Sequence, residues 1–549
     1  MGIYLNPGKR RYQMAHNSDI YIDKTEMLVF LNSVINTNQR YVCVSRPRRF
    51  GKTMAADMLC AYYDKSVNSR EDFTGYALTS HVNWDRFLNQ FDVIRITITD
   101  FLGDSADIAD MLDYLTEELI AELTAAFPMI QPGTRRNLRT LLTRIYAETE
   151  RPFVIVIDEW DAVFRKYSED DTGQNQYLDF MRDWLKDQPY VALAYMTGIL
   201  PVKKYGNHSA LNMFDEYSMM APMQLASFAG FTEDEVKLLC SQYGRDFQAM
   251  REWYDGYRVS DIIPPDPDYR SSAETGLQPQ AKTWSLYNPL SVVNAVRTGL
   301  IRNYWNKTET YEALAEYIRK NFDGLKEAVA VLMDGGHVEA DLNDYQNDMT
   351  TFHSKDDVMA LLVHLGYLGY DESNGTVFIP NKEILTEFRT STKSDEWTTA
   401  FSALNHSREL LEATWAGDAE RVAALVEAAH DQAGNRTYNS EAALSYAIQL
   451  AYYSALNYYT LIPEMDSGKG FADLVYLPSP DYSDKPALLI ELKFAQSAVT
   501  AIDQIHQKRY PARLRHYQGN LIVVGINYNR ELSPANPEYK HHSCVIERW

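Results

Sequence analysis

Four short apolar runs punctuate the first two hundred residues, at 41–45, 93–99, 153–157 and 191–197. Between them, residues 52–64, 108–126 and 175–186 place apolar side chains every three or four positions, the spacing of helices that bury one face. Strand runs alternating with helical stretches predict an α/β domain, a mostly parallel sheet with helices packed on it.

Farther along the pattern changes. Residues 262–280, with Pro264, Pro265 and Pro267, predict a surface loop or insertion near a domain edge. Residues 285–435 read as chiefly helical, except at 368–380, where two short strands flank Ser373-Asn374-Gly375, a strong hairpin signal. The predicted helix 356–365 followed by that hairpin has the outline of a winged helix. Asp356 and Asp357 near its start, with almost no Lys or Arg, favour packing or partner docking over base reading. From about residue 438 the pattern gives a long helix, then strands near 472–477, 487–492 and 521–527, with a helix near 501–509 before the last strand. No repeat of fixed period is visible.

Composition narrows the class. A chain of 549 residues is long enough for about three domains, and 45% hydrophobic with 23% charged residues is the balance of a folded globular protein. No window reaches the roughly 20 apolar residues of a membrane span, and residues 1–11 lack an apolar signal core, so a cytoplasmic protein with no membrane partner is expected. Cys43, Cys60, Cys240 and Cys544 lack pair spacing, which suggests neither a disulfide framework nor a zinc site and fits a reducing cytosol. A net charge of -22 works against DNA binding unless a local basic patch offsets it. Lys508, Arg509, Arg513 and Arg515 form a candidate patch.

The first apolar run leads directly into Arg46-Pro47-Arg48-Arg49-Phe50-Gly51-Lys52-Thr53, where a helix begins. A strand-to-helix turn ending in Gly-Lys-Thr offers backbone N–H groups to phosphate oxygens, a lysine for the β- and γ-phosphates and a hydroxyl for Mg²⁺. Arg46 stands where the usual Walker A motif has its first glycine. The run 153–157 ends in Asp158-Glu159, the carboxylates of a Walker B site: Asp158 for the Mg²⁺ shell, Glu159 to polarise the attacking water. Thr197, closing the fourth run, is a candidate sensor of the γ-phosphate or its water, the alternative being a simple strand-end hydroxyl. ATP and Mg²⁺ are the expected ligands, contacted by Arg46, Arg48, Arg49, Phe50, Gly51, Lys52, Thr53, Asp158 and Thr197, with Thr53 and Asp158 on the metal.

A second constellation lies near the C-terminus, in Gly468-Lys469-Gly470-Phe471-Ala472-Asp473 and Leu488-Leu489-Ile490-Glu491-Leu492-Lys493. Alternation along the second strand puts Glu491 and Lys493 on one face, and pairing of the strands brings Asp473 beside them. Asp473 and Glu491 suit Mg²⁺, with Lys493 orienting water or steadying charge on a phosphate. Glu441 on a helix upstream and Gln504 on the helix that follows are further candidates.

Together with Tyr21-Ile22-Asp23-Lys24-Thr25, Trp253-Tyr254-Asp255-Gly256-Tyr257, Tyr287-Asn288-Pro289, Ile379-Pro380-Asn381-Lys382-Glu383 and Ala501-Ile502-Asp503-Gln504-Ile505, these segments resemble a bacterial family. That family joins an AAA-ATPase-like domain to a C-terminal nuclease of the PD-(D/E)xK superfamily. The resemblance implies a multidomain α/β protein: a P-loop NTPase parallel-sheet domain of the additional-strand type, a helical and winged-helix middle region, and a restriction-endonuclease-like α/β domain. It also implies that Arg46 is a family trait of the loop and that Glu441, Asp473, Glu491 and Lys493 match the nuclease motif positions. The expected boundaries are 1–240 for the ATPase-like domain, 241–395 for the lid and winged-helix-like region, 396–435 for a helical linker and 436–549 for the nuclease-like domain. The leading expectation is ATP binding and hydrolysis that controls Mg²⁺-dependent cleavage of nucleic acid, DNA ahead of RNA, with defence or DNA maintenance suggested by analogy alone. A rival expectation is a nucleotide-dependent switch or scaffold that binds protein partners through an inactive nuclease-like domain. Either leaves room for a homo-oligomer.

Overall fold

The computed structural model describes residues 2–131, 133, 137–202, 211–263, 280–305, 325–342, 354–392, 395–433, 445, 448–449, 451–466, 471–479, 482–508, 517, 519–529 and 541–549. They form two compact units, Met1–Gly324 with Val338–Ser391, and Leu325–His337 with Thr392–Trp549.

The first unit is built on a sheet of β1 (Tyr41–Ser45), β2 (Asp92–Thr97), β3 (Phe153–Asp158), β4 (Val191–Gly198) and β5 (Asp215–Tyr217) in the order β2-β3-β4-β1-β5. All neighbours are parallel. The insertion of β4 between β1 and β3 is the arrangement that the additional-strand expectation requires. Strands β1, β3 and β4 are buried at every position, as a parallel sheet covered on both faces demands. The helix Lys52–Tyr63 packs its Ala56, Met58, Leu59 and Tyr62 into a core shared with Val42, Val154 and Leu193. Each fully buried Val, Leu or Met side chain among them contributes about 1.5–3 kcal/mol.

The expected helices are present, 108–126 with the same bounds and the other two with shifted ends. Ile108–Ala126 begins where Asp107 accepts a hydrogen bond from Asp110 N–H. The helix expected at 175–186 starts at Asp171, because Asp170 caps it through Gly173 N–H and its first turn is polar, without apolar spacing to announce it. The second strand stops at Thr97, since Ile98–Gly103 is already helical.

Beyond the parallel sheet come two small antiparallel sheets. One is β6 (Phe231–Thr232), β7 (Tyr257–Ile263) and β8 (Gln280–Tyr287), in the order β6-β8-β7. The ends of the expected Pro-rich loop are thus strand, with Ile262 paired to Ala281 and Ile263 to Gln280, and its residues 264–279 lie outside the described residues. The other sheet contains β9 (Val338–Glu339), β10 (Gly369–Asp371) and β11 (Thr376–Phe378). The expected hairpin is β10 with β11, and the helix before it spans Lys355–Leu365 with Val358 through Leu365 all buried. That helix serves packing.

Two of the shared sequence motifs meet here. Asn381 Nδ2 donates to Asp255 O at 2.9 Å, and Lys382 Nζ lies 2.7 Å from Glu252 Oε2. Gly256 sits between them at φ 115°, where a Cβ atom would fall 2.0 Å from the Pro380 carbonyl oxygen. Glu383 continues the joint: Tyr304 N–H and Trp305 N–H donate to its Oε1 at 2.7 and 3.1 Å, and Ser291 Oγ donates to its Oε2 at 2.8 Å. Burial pushes its carboxyl up to about 7, against the pull of those bonds.

The second unit holds a mixed sheet, β12 (Tyr459–Asp466), β13 (Phe471–Pro478), β14 (Ala487–Phe494), β15 (Leu521–Tyr528) and β16 (His542–Arg548), paired in that order. β14 and β15 are parallel and the other pairs antiparallel. The helices Asp395–Ala416 and Ala419–Ala433, expected as a linker, supply Leu410, Leu411, Val422, Leu425 and Val426 to the core on one face. The helix Ala498–Lys508 covers the other face through Ile502 and Ile505.

The Gly256 contact yields a stability prediction. Gly256→Ala drives backbone into backbone and forces an alanine to φ 115°, so the urea unfolding midpoint of the full chain falls by the equivalent of about 3 kcal/mol or more. An unchanged midpoint would show that the two motifs do not need this approach.

Candidate functional site

Parallel strands deliver their carboxyl ends to one edge, and ligands of open α/β sheets bind in the crevice outside it. Here that edge carries residues 46–53 after β1, Asp158 ending β3 with Glu159 just after it, and Thr197 and Gly198 ending β4. Most of them border a cavity of 1040 Å³ whose lining includes Arg48, Arg49, Gly51, Lys52, Thr53, Asp158, Glu159, Asp161 and Arg165, and an apolar set that includes Ile20, Tyr21, Phe228, Phe231, Leu290 and Val293, but neither Arg46 nor Thr197.

Gly51 caps the helix Lys52–Tyr63 in the left-handed region at φ 88°, and nothing lies within 4 Å of the position of its missing Cβ. The helix N-terminus therefore opens on space that an anion can enter. Lys52 Nζ donates to Arg46 O and Pro47 O, both at 2.9 Å. Burial pulls its ammonium down to about 8, while Asp161 and Asp158 oppose that shift. Phe50 is buried beneath the loop: Gly230 N–H donates to its carbonyl at 3.0 Å, and its ring stands edge-on to Tyr257 at 5.4 Å.

Arg46 takes a different path. Its side chain is fully buried and donates from Nη1 to Ser45 O at 3.0 Å and to Tyr217 O at 2.5 Å, tying the loop to β5 instead of lining the cavity. Burial lowers its guanidinium to about 10. At the cavity the first position of the loop supplies only its carbonyl, to Lys52.

Asp158 is held on two sides. Thr197 Oγ1 donates to its Oδ1, and Arg95 Nη2 lies 3.8 Å from its Oδ2 and 3.0 Å from Asp57 Oδ1. Thr197 thus reaches the site through Asp158. Glu159 occupies φ 53°, a left-handed conformation costly for a side chain with a Cβ. Asp161, fully buried, accepts from Ile199 N–H and Leu200 N–H at 3.1 Å each, and Arg165 Nε lies 3.3 Å from the same oxygen.

Arg95, Asp57, Asp161 and Arg165 were not singled out from the sequence. Arg95 left one signal, a lone cation within the run Val93-Ile94-Arg95-Ile96, where burial requires a counter-charge. Lys24 of the Tyr-Ile-Asp-Lys-Thr motif lines the cavity, yet its Nζ is spent on Ser227 O and Glu235 Oε1, both at 2.7 Å. That motif builds the wall.

In the second unit the antiparallel register of β13 and β14 pairs Leu474 with Ile490, and Asp473 Oδ2 accepts from Leu492 N–H at 2.7 Å. Lys493 Nζ lies 3.2 Å from Glu491 Oε1, so the two do share a face, and Gln504 Nε2 donates to that same oxygen. Glu491 and Lys493 are 1% and 6% exposed, and Asp473 is half-buried. Glu491, Lys493 and Gln504 therefore converge, while the Asp473 carboxylate is bonded to the backbone of the neighbouring strand. Glu441 lies outside the described residues, as do Arg509, Arg513 and Arg515, while Lys508 ends the helix Ala498–Lys508.

Both donor sets suit their expected ligands. Two carboxylates on adjacent strands are hard oxygen donors for a divalent cation. The open space at Gly51, beside a lysine, a threonine hydroxyl and the Asp158 carboxylate, suits a phosphate with its metal.

Comparison with known proteins agrees with this division. Residues 10–206 match the family model described as Predicted AAA-ATPase, and residues 444–533 match the one described as PD-(D/E)XK nuclease superfamily. A curated relative, an uncharacterized protein in the vnfD 5′ region of Azotobacter chroococcum mcd 1, is 24% identical over 309 residues, covering 54% of this chain and 52% of the relative. The chain thus spans about half the length of that relative. Among solved structures, a Walker-type ATPase of Pyrococcus abyssi is 14% identical, over 68% of this chain and 97% of its own, with a TM-score of 0.34. The ORC2 protein of Aeropyrum pernix, in ADPNP–ADP complexes, is 12% identical over 70% and 98%, with a TM-score of 0.29. No helix among the described residues is long and apolar enough to cross a membrane. The chain carries an AAA-ATPase-like domain followed by a C-terminal domain of the PD-(D/E)XK nuclease superfamily.

Proposed function

We propose that the cavity of the first unit binds and hydrolyses ATP with Mg²⁺, and that its nucleotide state governs Mg²⁺-dependent phosphodiester cleavage of nucleic acid by the second unit. The observation that carries the reading is the gathering of Lys52, Thr53, Asp158 and Glu159, from two segments a hundred residues apart, around one cavity. Lys52 binds the β- and γ-phosphates, and Thr53 and Asp158 hold the metal, which neutralises phosphate charge when bound. Glu159 takes the proton of the attacking water. Thr197 and Arg95 keep Asp158 in place.

In the second unit Asp473 and Glu491 are the metal ligands, with Glu441 as a further candidate. Lys493 orients water or meets charge developing on the phosphate, and Gln504 fixes the Glu491 carboxylate. DNA is the preferred substrate, and a part in defence or DNA maintenance follows by analogy only. A second reading, a nucleotide-dependent switch whose nuclease-like domain binds partners without cutting, draws support from the near-complete burial of Glu491 and Lys493 and from the net charge of -22.

Lys52→Ala is expected to abolish ATP binding measured by calorimetry, while Glu159→Gln keeps binding and loses turnover by a factor on the order of 10² or more. Affinity unchanged in Lys52→Ala would remove the phosphate assignment.

The lowered pKa of Lys52 sets a pH dependence. A bound phosphate raises the ammonium's pKa, so affinity is full below about 8 and falls about tenfold per pH unit above it, until the pKa of the bound state is passed. Lys52→Arg, which keeps its charge across this range, flattens that profile in the same titration.

Cleavage of plasmid and single-stranded DNA with Mg²⁺ separates the two readings. Asp473→Ala and Glu491→Ala abolish cleavage if the domain is a nuclease, whereas equal and negligible cutting by wild type and both variants favours the switch.

A further inference from the structure

Among the described residues, a cation paired with Glu159 has no part in the scheme above. Arg165 belongs to the short helix Ala162–Lys166 and lines the cavity together with Lys52 and Glu159. Its Nη2 stands 3.7 Å from Glu159 Oε2, and its Nε 3.3 Å from Asp161 Oδ2. The two acids differ in freedom. Asp161 is fixed in the interior by Ile199 and Leu200 N–H, whereas the Glu159 side chain is 41% exposed at the end of a left-handed turn.

Arg165 Nε is buried and makes no aligned hydrogen bond among the described residues. The guanidinium is thus held by charge, at separations longer than a charge-assisted hydrogen bond. Its flat array of N–H donors is matched far better by the oxygens of a phosphate, which it can meet in bidentate fashion.

We infer that Arg165 reads the terminal phosphate of the nucleotide, and that in turning to it the guanidinium leaves Glu159 to serve the attacking water. The inference rests on the ATP reading of the cavity. Without a terminal phosphate, Arg165 keeps Glu159 engaged. With one, the water oxygen bonds to the γ-phosphorus while the bond from that phosphorus to the β–γ bridging oxygen breaks, its electron pair leaving on ADP and the water's proton passing to Glu159. Because the arginine comes from the same chain as the phosphate loop, hydrolysis by this device needs no cation from a second copy.

The test compares binding of ADP and of a non-hydrolysable ATP analogue to the full chain by calorimetry. In Arg165→Ala the analogue loses tenfold or more in affinity and ADP less than twofold; kcat falls by a factor on the order of 10² to 10³. Arg165→Lys restores part of the discrimination and, by keeping the charge beside Asp161, guards against a mere folding defect. Specific activity of the wild type stays constant as protein concentration is raised. Equal weakening of both nucleotides, no weakening of either, or specific activity that rises with concentration overturns the inference while leaving the ATP reading intact. Failure of the wild type to bind either nucleotide sinks both.

Discussion

Charge buried at the carboxyl edge of the first sheet must be compensated, and the rest of the ATPase-like unit is arranged around that demand. Arg95, Asp158 and Asp161 are almost or fully buried, and Lys52 sits low enough for its ammonium to be destabilised. Isolated, each would cost several kcal/mol. They persist because Arg95, Asp158 and Asp161 each lie within about 4 Å of an opposite charge or of backbone N–H groups, and Lys52 donates to two backbone carbonyls, where attraction is weakly screened. The outcome is a preorganised polar surface facing a cavity, at the expense of local stability.

Much of this was legible in the chain. The four strand runs and the order in which Gly51-Lys52-Thr53 and Asp158-Glu159 follow them predicted which edge would carry the site, because parallel strands place their last residues side by side. Glu491 and Lys493 were legible for an equally simple reason, the two-residue period of a strand. What stayed hidden depends on pairing between distant segments. Arg95 acquires its meaning only when β2 lies next to β3 and the helix Lys52–Tyr63 brings Asp57 over it. Arg46 sits in a phosphate loop by sequence, yet β5, a three-residue strand with little apolar pattern, gives its side chain a place to go.

Several shared motifs proved to be joinery. Trp253-Tyr254-Asp255-Gly256-Tyr257 and Ile379-Pro380-Asn381-Lys382-Glu383 lie far apart in sequence, but the carbonyl of Pro380 fills the space that a side chain at Gly256 would need. Glu383 then fastens the helix Pro289–Thr298, whose Leu290 and Val293 form part of the cavity wall. A contact of backbone on backbone tolerates few substitutes.

The floor beneath Phe50 has a practical consequence. The ring rests on Tyr257, and the carbonyl is held by Gly230, so a recombinant fragment trimmed to the five-stranded sheet would retain each residue proposed to meet the phosphates while losing the support on which their loop is shaped. The smallest piece able to cradle a nucleotide is therefore set by where an aromatic ring finds its seat.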